Sequence, residues 1–185
     1  MGMHEDTFSD ERLMKLSAAG DSNSFESLIR RYARPLMTLI NRMLGRHHRS
    51  EEVFQEVLFS CWKSRAQYKF PRPFKPWLYA IAINQCRQVY RKKDDSVSNQ
   101  ETAVEMVTTK QVPEDFAVGK EVSELLKDAV ERLPEQQRAV VVLRIWSGLS
   151  YREIAQSVDR TEATVRSYMF HALKNLRERL GNIDF

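Results

Sequence analysis

The four residues Ser150-Tyr151-Arg152-Glu153 constrain the chain more than any other stretch. A serine three positions ahead of a glutamate forms a capping box. Its hydroxyl accepts the amide of the third helical residue, and the carboxylate returns to the serine's own amide. A helix therefore starts here and runs through Ile154 and Ala155 to about Ser157. The turn Val158-Asp159-Arg160 then leads to Thr161, a second residue of N-cap type. The result is two short helices joined by a tight turn. On the second helix Val165, Met169, Ala172, Leu173, Leu176 and Leu180 recur at steps of three and four, which assigns that stripe to a core. The opposite face carries Glu162, Ala163, Arg166, Ser167 and Phe170. An arginine, a serine and small residues at the first turns of a half-buried helix suit the reading of base edges in a major groove. They equally suit an ordinary helical hairpin with a solvated charged face, and the pair alone does not choose.

The rest of the chain is also helical in pattern. Gly and Pro number only six each, and no strand-like alternation interrupts the apolar residues, which make up 42% of the sequence. A length of 185 residues suits two small cores. From Ser9 to about Lys93 four helices fit, with Gly20 and Gly45 as stops and Asp21 and Ser50 as N-caps. The second places Leu28, Tyr32, Leu36, Leu39, Ile40 and Met43 on one face, and the third opens on two carboxylates that favour its positive dipole end.

After Lys93 the composition turns to Ser, Thr, Gln and acids without apolar periodicity, as in a flexible linker over residues 94–115. Periodicity resumes near Phe116, where Leu125, Leu126, Ala129, Val130 and Leu133 form one stripe. Pro134 breaks it and is placed in the first turn of the next helix, which carries Val140, Val141, Leu143 and Ile145. The expected organisation is all-α: an N-terminal helical domain over residues 8–93, the linker, and a C-terminal helix-turn-helix domain over 116–185.

In the N-terminal part, Pro71, Pro73 and Pro76 stiffen a loop that leads into the helix carrying WLYAIAINQCRQVYR. Leu78, Ile81, Ala82, Gln85 and Val89 face inward on it, whereas Asn84, Arg87, Gln88 and Arg91 share a polar, basic face. Tyr68, Phe70, Phe74, Trp77 and Tyr79 gather at its start, either to stack on unpaired bases or as plain core anchors.

Other classes find little support. The formal charge of +4 is compatible with a polyanionic partner without requiring one. Cys61 and Cys86 stand alone at helical intervals from apolar neighbours and read as core residues. His47 and His48 sit in an expected loop without further ligands, so no metal or cofactor is anticipated. The polar, acidic N-terminus and a longest apolar run of only Leu78 to Ile83 lead to the expectation of a cytoplasmic protein without membrane insertion. No nucleophile–base pair or Gly-rich phosphate loop appears, so an enzyme is not expected.

Four stretches together carry a resemblance: SEEVFQEV, WLYAIAINQCRQVYR, LPEQQRAVVVLR and GLSYREIAQSVDRTEATVRS, in that order, resemble the successive signatures of extracytoplasmic-function sigma factors of bacterial RNA polymerase. The resemblance implies that Glu52, Gln55 and Glu56 bind the coiled coil of the largest core RNA polymerase subunit. It implies that the Tyr68 to Pro76 loop, with Phe74, Trp77 and Asn84, captures a flipped base of the melted −10 promoter element, with Arg87, Gln88 and Arg91 on the adjoining helical face. It further implies that the C-terminal pair reads double-stranded −35 DNA through Arg152, Thr161, Glu162, Ala163, Thr164, Arg166, Ser167 and Phe170, and that an anti-sigma factor is a partner. Six positions depart from the family's pattern. Glu52 replaces the family's more frequent Asp, Asp159 and Ala163 stand where Gly is usual, and Tyr168, His171 and Leu173 occupy places often held by Arg. The rival reading is a two-domain helix-turn-helix regulator that acts without polymerase.

Overall fold

Nine residues from Asp10 to Ala18 make helix α1, which begins where the Ser9 hydroxyl accepts the Arg12 amide at 3.3 Å. The structure, a computed structural model, describes residues 8–45, 49–97 and 117–181. Helix α2 (Ser22–Leu44) opens on Asp21, whose carboxylate accepts the Asn23 amide at 3.1 Å and the Ser24 hydroxyl at 2.5 Å. Leu28, Leu36, Leu39, Ile40 and Met43 are fully buried along its inner face, as their spacing requires. It ends at Gly45, whose φ of +67° and ψ of −131° suit glycine alone. A β-carbon there would also lie 2.7 Å from the Glu131 carboxyl carbon.

Helix α3 (Ser50–Ser64) corrects one expected cap. Ser50 is its first residue, and Arg49 holds the cap position without a side-chain capping bond. Arg49 instead forms a fork with the first-turn carboxylate of Glu52, at 2.8 Å from Nε and 2.6 Å from the terminal nitrogen. A 3₁₀ turn (Arg65–Gln67) and the proline loop lead into α4 (Phe74–Val97), which takes in the first four residues of the expected linker. The remaining helices are α5 (Ala117–Glu131), α6 (Glu135–Ile145), α7 (Tyr151–Val158) and α8 (Glu162–Leu180). Pro134 caps α6 from one position outside it and does not enter its first turn.

All elements among the described residues are helices. Helices α1, α3 and α4 pack around α2 in the N-terminal half, while α5, α6 and α7 pack around α8 in the C-terminal half. The halves touch. Helix α7 lies on α4, and α5 and α6 lie on α2. Two apolar stripes are narrower than their spacing implied. Leu125 and Leu126 are 40% and 37% exposed while Ala129, Val130 and Leu133 are buried, and Leu173 is 44% exposed beside buried Ala172 and Leu176. Position on a shared helical face does not ensure that a partner extends over all of it. Both cysteines are buried and free, and burial pushes their thiols up to about 12, so they are packing residues with little thiolate. His47 and His48 lie outside the described residues.

Candidate nucleic-acid interface

The C-terminal pair forms as its caps dictate. The Ser150 hydroxyl accepts the Glu153 amide at 3.3 Å, and the Glu153 carboxylate accepts the Ser150 amide at 2.8 Å and its hydroxyl at 2.7 Å. Those donors hold the Glu153 carboxyl below its ordinary range. The turn closes with Asp159 in the left-handed region at φ 53°, a conformation that Asp tolerates better than most side chains. Thr161 then caps α8 by accepting the Thr164 amide at 3.2 Å.

On α8 Val165, Met169, Ala172 and Leu176 are buried, leaving Ala163, Arg166, Ser167 and Phe170 exposed and Glu162 and Thr164 half-buried. Arg152 on α7 and Thr161 at the turn are exposed beside them. All eight expected residues thus keep some exposure to solvent, and those from Thr161 to Ser167 lie at the cap and first turns of α8, where helix-terminal amides and the helix dipole favour phosphate. Arg166 is oriented there by Glu162 at 2.7 Å and by the Tyr151 ring, 4.4 Å from the guanidinium carbon.

On α4, Asn84, Gln88 and Arg91 are exposed on one side. Arg87 shares that side but is half-buried, because its Nε donates to Glu135 of α6 at 2.7 Å. The aromatic group divides. Phe74 is fully buried, Tyr79 is 1% exposed and Tyr68 is 8% exposed, so these three are core anchors and are not available for base stacking in this arrangement. Their rings lock together, with Tyr68 and Trp77 edge-to-face at 5.4 Å and Phe74 tilted on Trp77 at 5.9 Å. Trp77 remains half-buried and Phe70 is 48% exposed. The Tyr68 hydroxyl donates to the Arg72 carbonyl and closes the loop on itself.

On α3, Val53, Val57 and Cys61 face the core, and Glu52, Gln55 and Glu56 form an exposed face on the other side. Phe59 joins that face at 63% exposure. The sequence reading missed it, although its spacing of three from Glu56 and seven from Glu52 places it there. Glu135 was also missed, because its partner Arg87 lies 48 residues away along the chain and leaves no local signature.

The model of Sigma-70 region 2 matches residues 28–95, and that of Sigma-70 region 4 matches residues 123–176. Relatives match over nearly full length. The ECF RNA polymerase sigma-E factor of Haemophilus influenzae is 26% identical over 92% of this chain and 95% of its own. The ECF RNA polymerase sigma factor SigW of Bacillus subtilis is 27% identical over 94% of this chain and 97% of its own. The chain belongs to the extracytoplasmic-function sigma factors. Its fold is that of solved sigma structures. CnrH in complex with the cytosolic domain of CnrY aligns with a TM-score of 0.72 at 20% identity, covering 95% of this sigma factor and 99% of that chain. The sigma factor RpoE of Bartonella quintana, in complex with the anti-sigma factor NepR, aligns with a TM-score of 0.68 at 21% identity, covering 86% and 98%. The region 2 match takes in the α3 face and all of the exposed α4 residues, and the region 4 match takes in α7 and most of α8. No described helix of this sigma factor is long and apolar enough to cross a membrane.

Proposed function

We propose that this sigma factor binds core RNA polymerase through the outer face of α3 and places promoter DNA on α4 and on the α7–α8 pair. The observation that carries the reading is the α3 face itself. Glu52, Gln55, Glu56 and Phe59 are all exposed, and the buried side of the same helix already supplies what the fold needs. Carboxylates around an apolar ring suit a basic helical partner. A regulator working without polymerase has no use for that face, which disfavours the rival reading.

At the promoter, Asn84, Gln88 and Arg91 with Trp77 form the surface offered to the melted −10 element, and buried Tyr68 and Phe74 hold the loop that presents it. The corner of Arg152, Thr161, Glu162, Ala163, Thr164, Arg166, Ser167 and Phe170 takes the −35 duplex, with Arg166 the base-edge candidate. The protein acts in the cytoplasm as an initiation factor and not as a catalyst. An anti-sigma factor is a further partner, a reading supported by the sigma–anti-sigma complex that shares this fold.

The test is co-purification of the Gln55→Ala/Glu56→Lys double variant with core polymerase. Both side chains are exposed, so the fold should be retained and binding lost. Undiminished binding removes α3 as the docking face.

A further inference from the structure

From Glu162 to Leu173, the part of α8 nearest its N-terminus, Arg166 is the only lysine or arginine. Glu162 bonds it at 2.7 Å, so this stretch offers one permanent cation already matched by a carboxylate. A helix that enters a groove walled by phosphates needs cations to hold it there. A second one comes from another helix. Arg144 stands in the last turn of α6 and is exposed. Its guanidinium carbon lies 5.1 Å from the centre of the Tyr151 ring, the same ring that Arg166 approaches to 4.4 Å. Two guanidiniums therefore share one aromatic ring, whose negative face attracts both. Their ring distances place the two cations closer together than roughly the 10 Å Debye length of about 0.1 M salt, so an anion meets them as one patch.

The loop between α6 and α7 fixes this arrangement. The Leu149 amide donates to the Leu143 carbonyl at 3.1 Å, and Arg144 donates to the Leu149 carbonyl at 2.8 Å, so both backbone groups of one residue are tied to α6. Leu149 itself is fully buried, and the capping box at Ser150 sets the first turn of α7, where Tyr151 is the first residue. Tyr151 is half-buried and packs on the core, which holds its ring in place. The two arginines differ in charge balance. Among the described residues Arg144 forms no ion pair and bonds only a neutral carbonyl, whereas Arg166 shares its charge with Glu162. A matched guanidinium with donors to spare suits a base edge, and an unmatched one suits phosphate.

We infer that Tyr151 is a positioning residue for promoter recognition: its ring aims Arg166 at a base edge and holds Arg144 beside it as the cation that grips a backbone phosphate of the same duplex. The ring and not the hydroxyl does this, because the ring is what both guanidiniums meet. The cation that α8 lacks is thus supplied from α6. This rests on the reading that the α7–α8 pair takes the −35 duplex.

The test uses the full-length chain in two settings. Assembled with core polymerase, it selects duplexes from a library randomised over the −35 element at several salt concentrations. Tyr151→Leu should weaken affinity about tenfold and relax preference at the same base pair as Arg166→Ala, whereas Tyr151→Phe, which keeps the ring, should select and bind as the wild type does. Arg144→Gln should keep every base preference, lose affinity about threefold across all sequences and lower the salt slope by about one. In the free chain, NMR relaxation of the arginine Nε–H groups should show Arg144 and Arg166 ordered in the wild type and in Tyr151→Phe, and mobile in Tyr151→Leu with the backbone amide spectrum otherwise retained. Wild-type preference in a folded Tyr151→Leu chain overturns the inference. So does a Tyr151→Phe chain as impaired as Tyr151→Leu, since the hydroxyl would then be the contact. If Tyr151→Leu does not fold, Tyr151→Met decides in its place, and mobile Nε groups in the wild type overturn the inference without any variant. An unchanged salt slope in Arg144→Gln removes Arg144 from the backbone contact. If Arg166→Ala itself selects as the wild type does, the −35 reading fails, while the relaxation data still judge whether the ring holds the two arginines.

Discussion

Arg166 holds its guanidinium carbon 4.4 Å from the centre of the Tyr151 ring, joining the first residue of α7 to the exposed face of α8. Glu162 grips the same guanidinium one turn earlier at 2.7 Å. The side chain proposed to reach DNA is thus held in place by two neighbours within the protein itself, an order that would lower the entropy lost on binding.

Replacing Arg166 by alanine should weaken −35 recognition by about 1–3 kcal/mol and relax preference at one base pair if the guanidinium reads a guanine edge. If it holds phosphate only, the loss should be uniform across sequences and the salt slope should fall by about one. Titration of operator variants at several salt concentrations separates the two, and an unchanged affinity removes Arg166 from the interface.

Phe59→Ala should lower affinity for core polymerase roughly tenfold or more, by an amount that does not change with ionic strength, because an apolar ring is lost and not a charge. Glu56→Lys should instead give a salt-dependent loss. Thermal stability should stay within about 0.5 kcal/mol for Phe59→Ala, since the ring is mostly exposed. Equal affinity for wild type and Phe59→Ala would show that the ring contributes nothing to docking.

Much of this molecule was readable from local spacing. Asp21, Ser150 with Glu153, and Thr161 all act as the caps their sequence context implied, and the buried face of α2 follows its period. The failures share a physical origin. Periodicity tells which residues share a face and not how far the partner extends, so Leu125, Leu126 and Leu173 were placed in a core that ends short of them. Ser50 lost its cap role because Arg49 and Glu52 form their fork where a cap would act. Phe74 and Tyr68, whose composition suits base stacking, are used in packing the loop against α1 and α4. Arg138 of α6 donates to the Met43 carbonyl 95 positions away at 2.8 Å, and nothing in its neighbourhood marks that contact.

Trp77 and Asn84 should separate in their effects. Trp77→Ala removes a ring packed between Tyr68 and Phe74 and should cost about 2 kcal/mol of stability as well as promoter opening. Asn84→Ala, at an exposed position, should leave stability unchanged and reduce open-complex formation, with polymerase binding intact. Permanganate footprinting beside thermal melts checks both. An Asn84→Ala protein that opens promoters normally would take Asn84 out of the melted-strand surface.

The capping box supplies a pH dependence of known sign. The Ser150 hydroxyl, acting against burial and aided by the Ser150 amide and Lys75, lowers the Glu153 carboxyl below its ordinary value. A depressed carboxyl stabilises the fold above its unfolded value of about 4.3, and the contribution is lost as pH falls through the lower folded value. Glu153→Ala should therefore destabilise the protein by about 0.3–1 kcal/mol near neutrality, and the gap from wild type should close below about pH 4. Melting curves across that range check it, and a gap independent of pH would show that the carboxylate charge plays no part.

The most direct measurement of the central claim is transcription in vitro with purified core polymerase on a genomic promoter library. Specific start sites should appear only when this protein is added, with shared −35 and −10 elements upstream, and Gln55→Ala/Glu56→Lys should abolish them. Sequence-specific DNA binding without any polymerase-dependent start site would contradict the account and leave a regulator that works without polymerase.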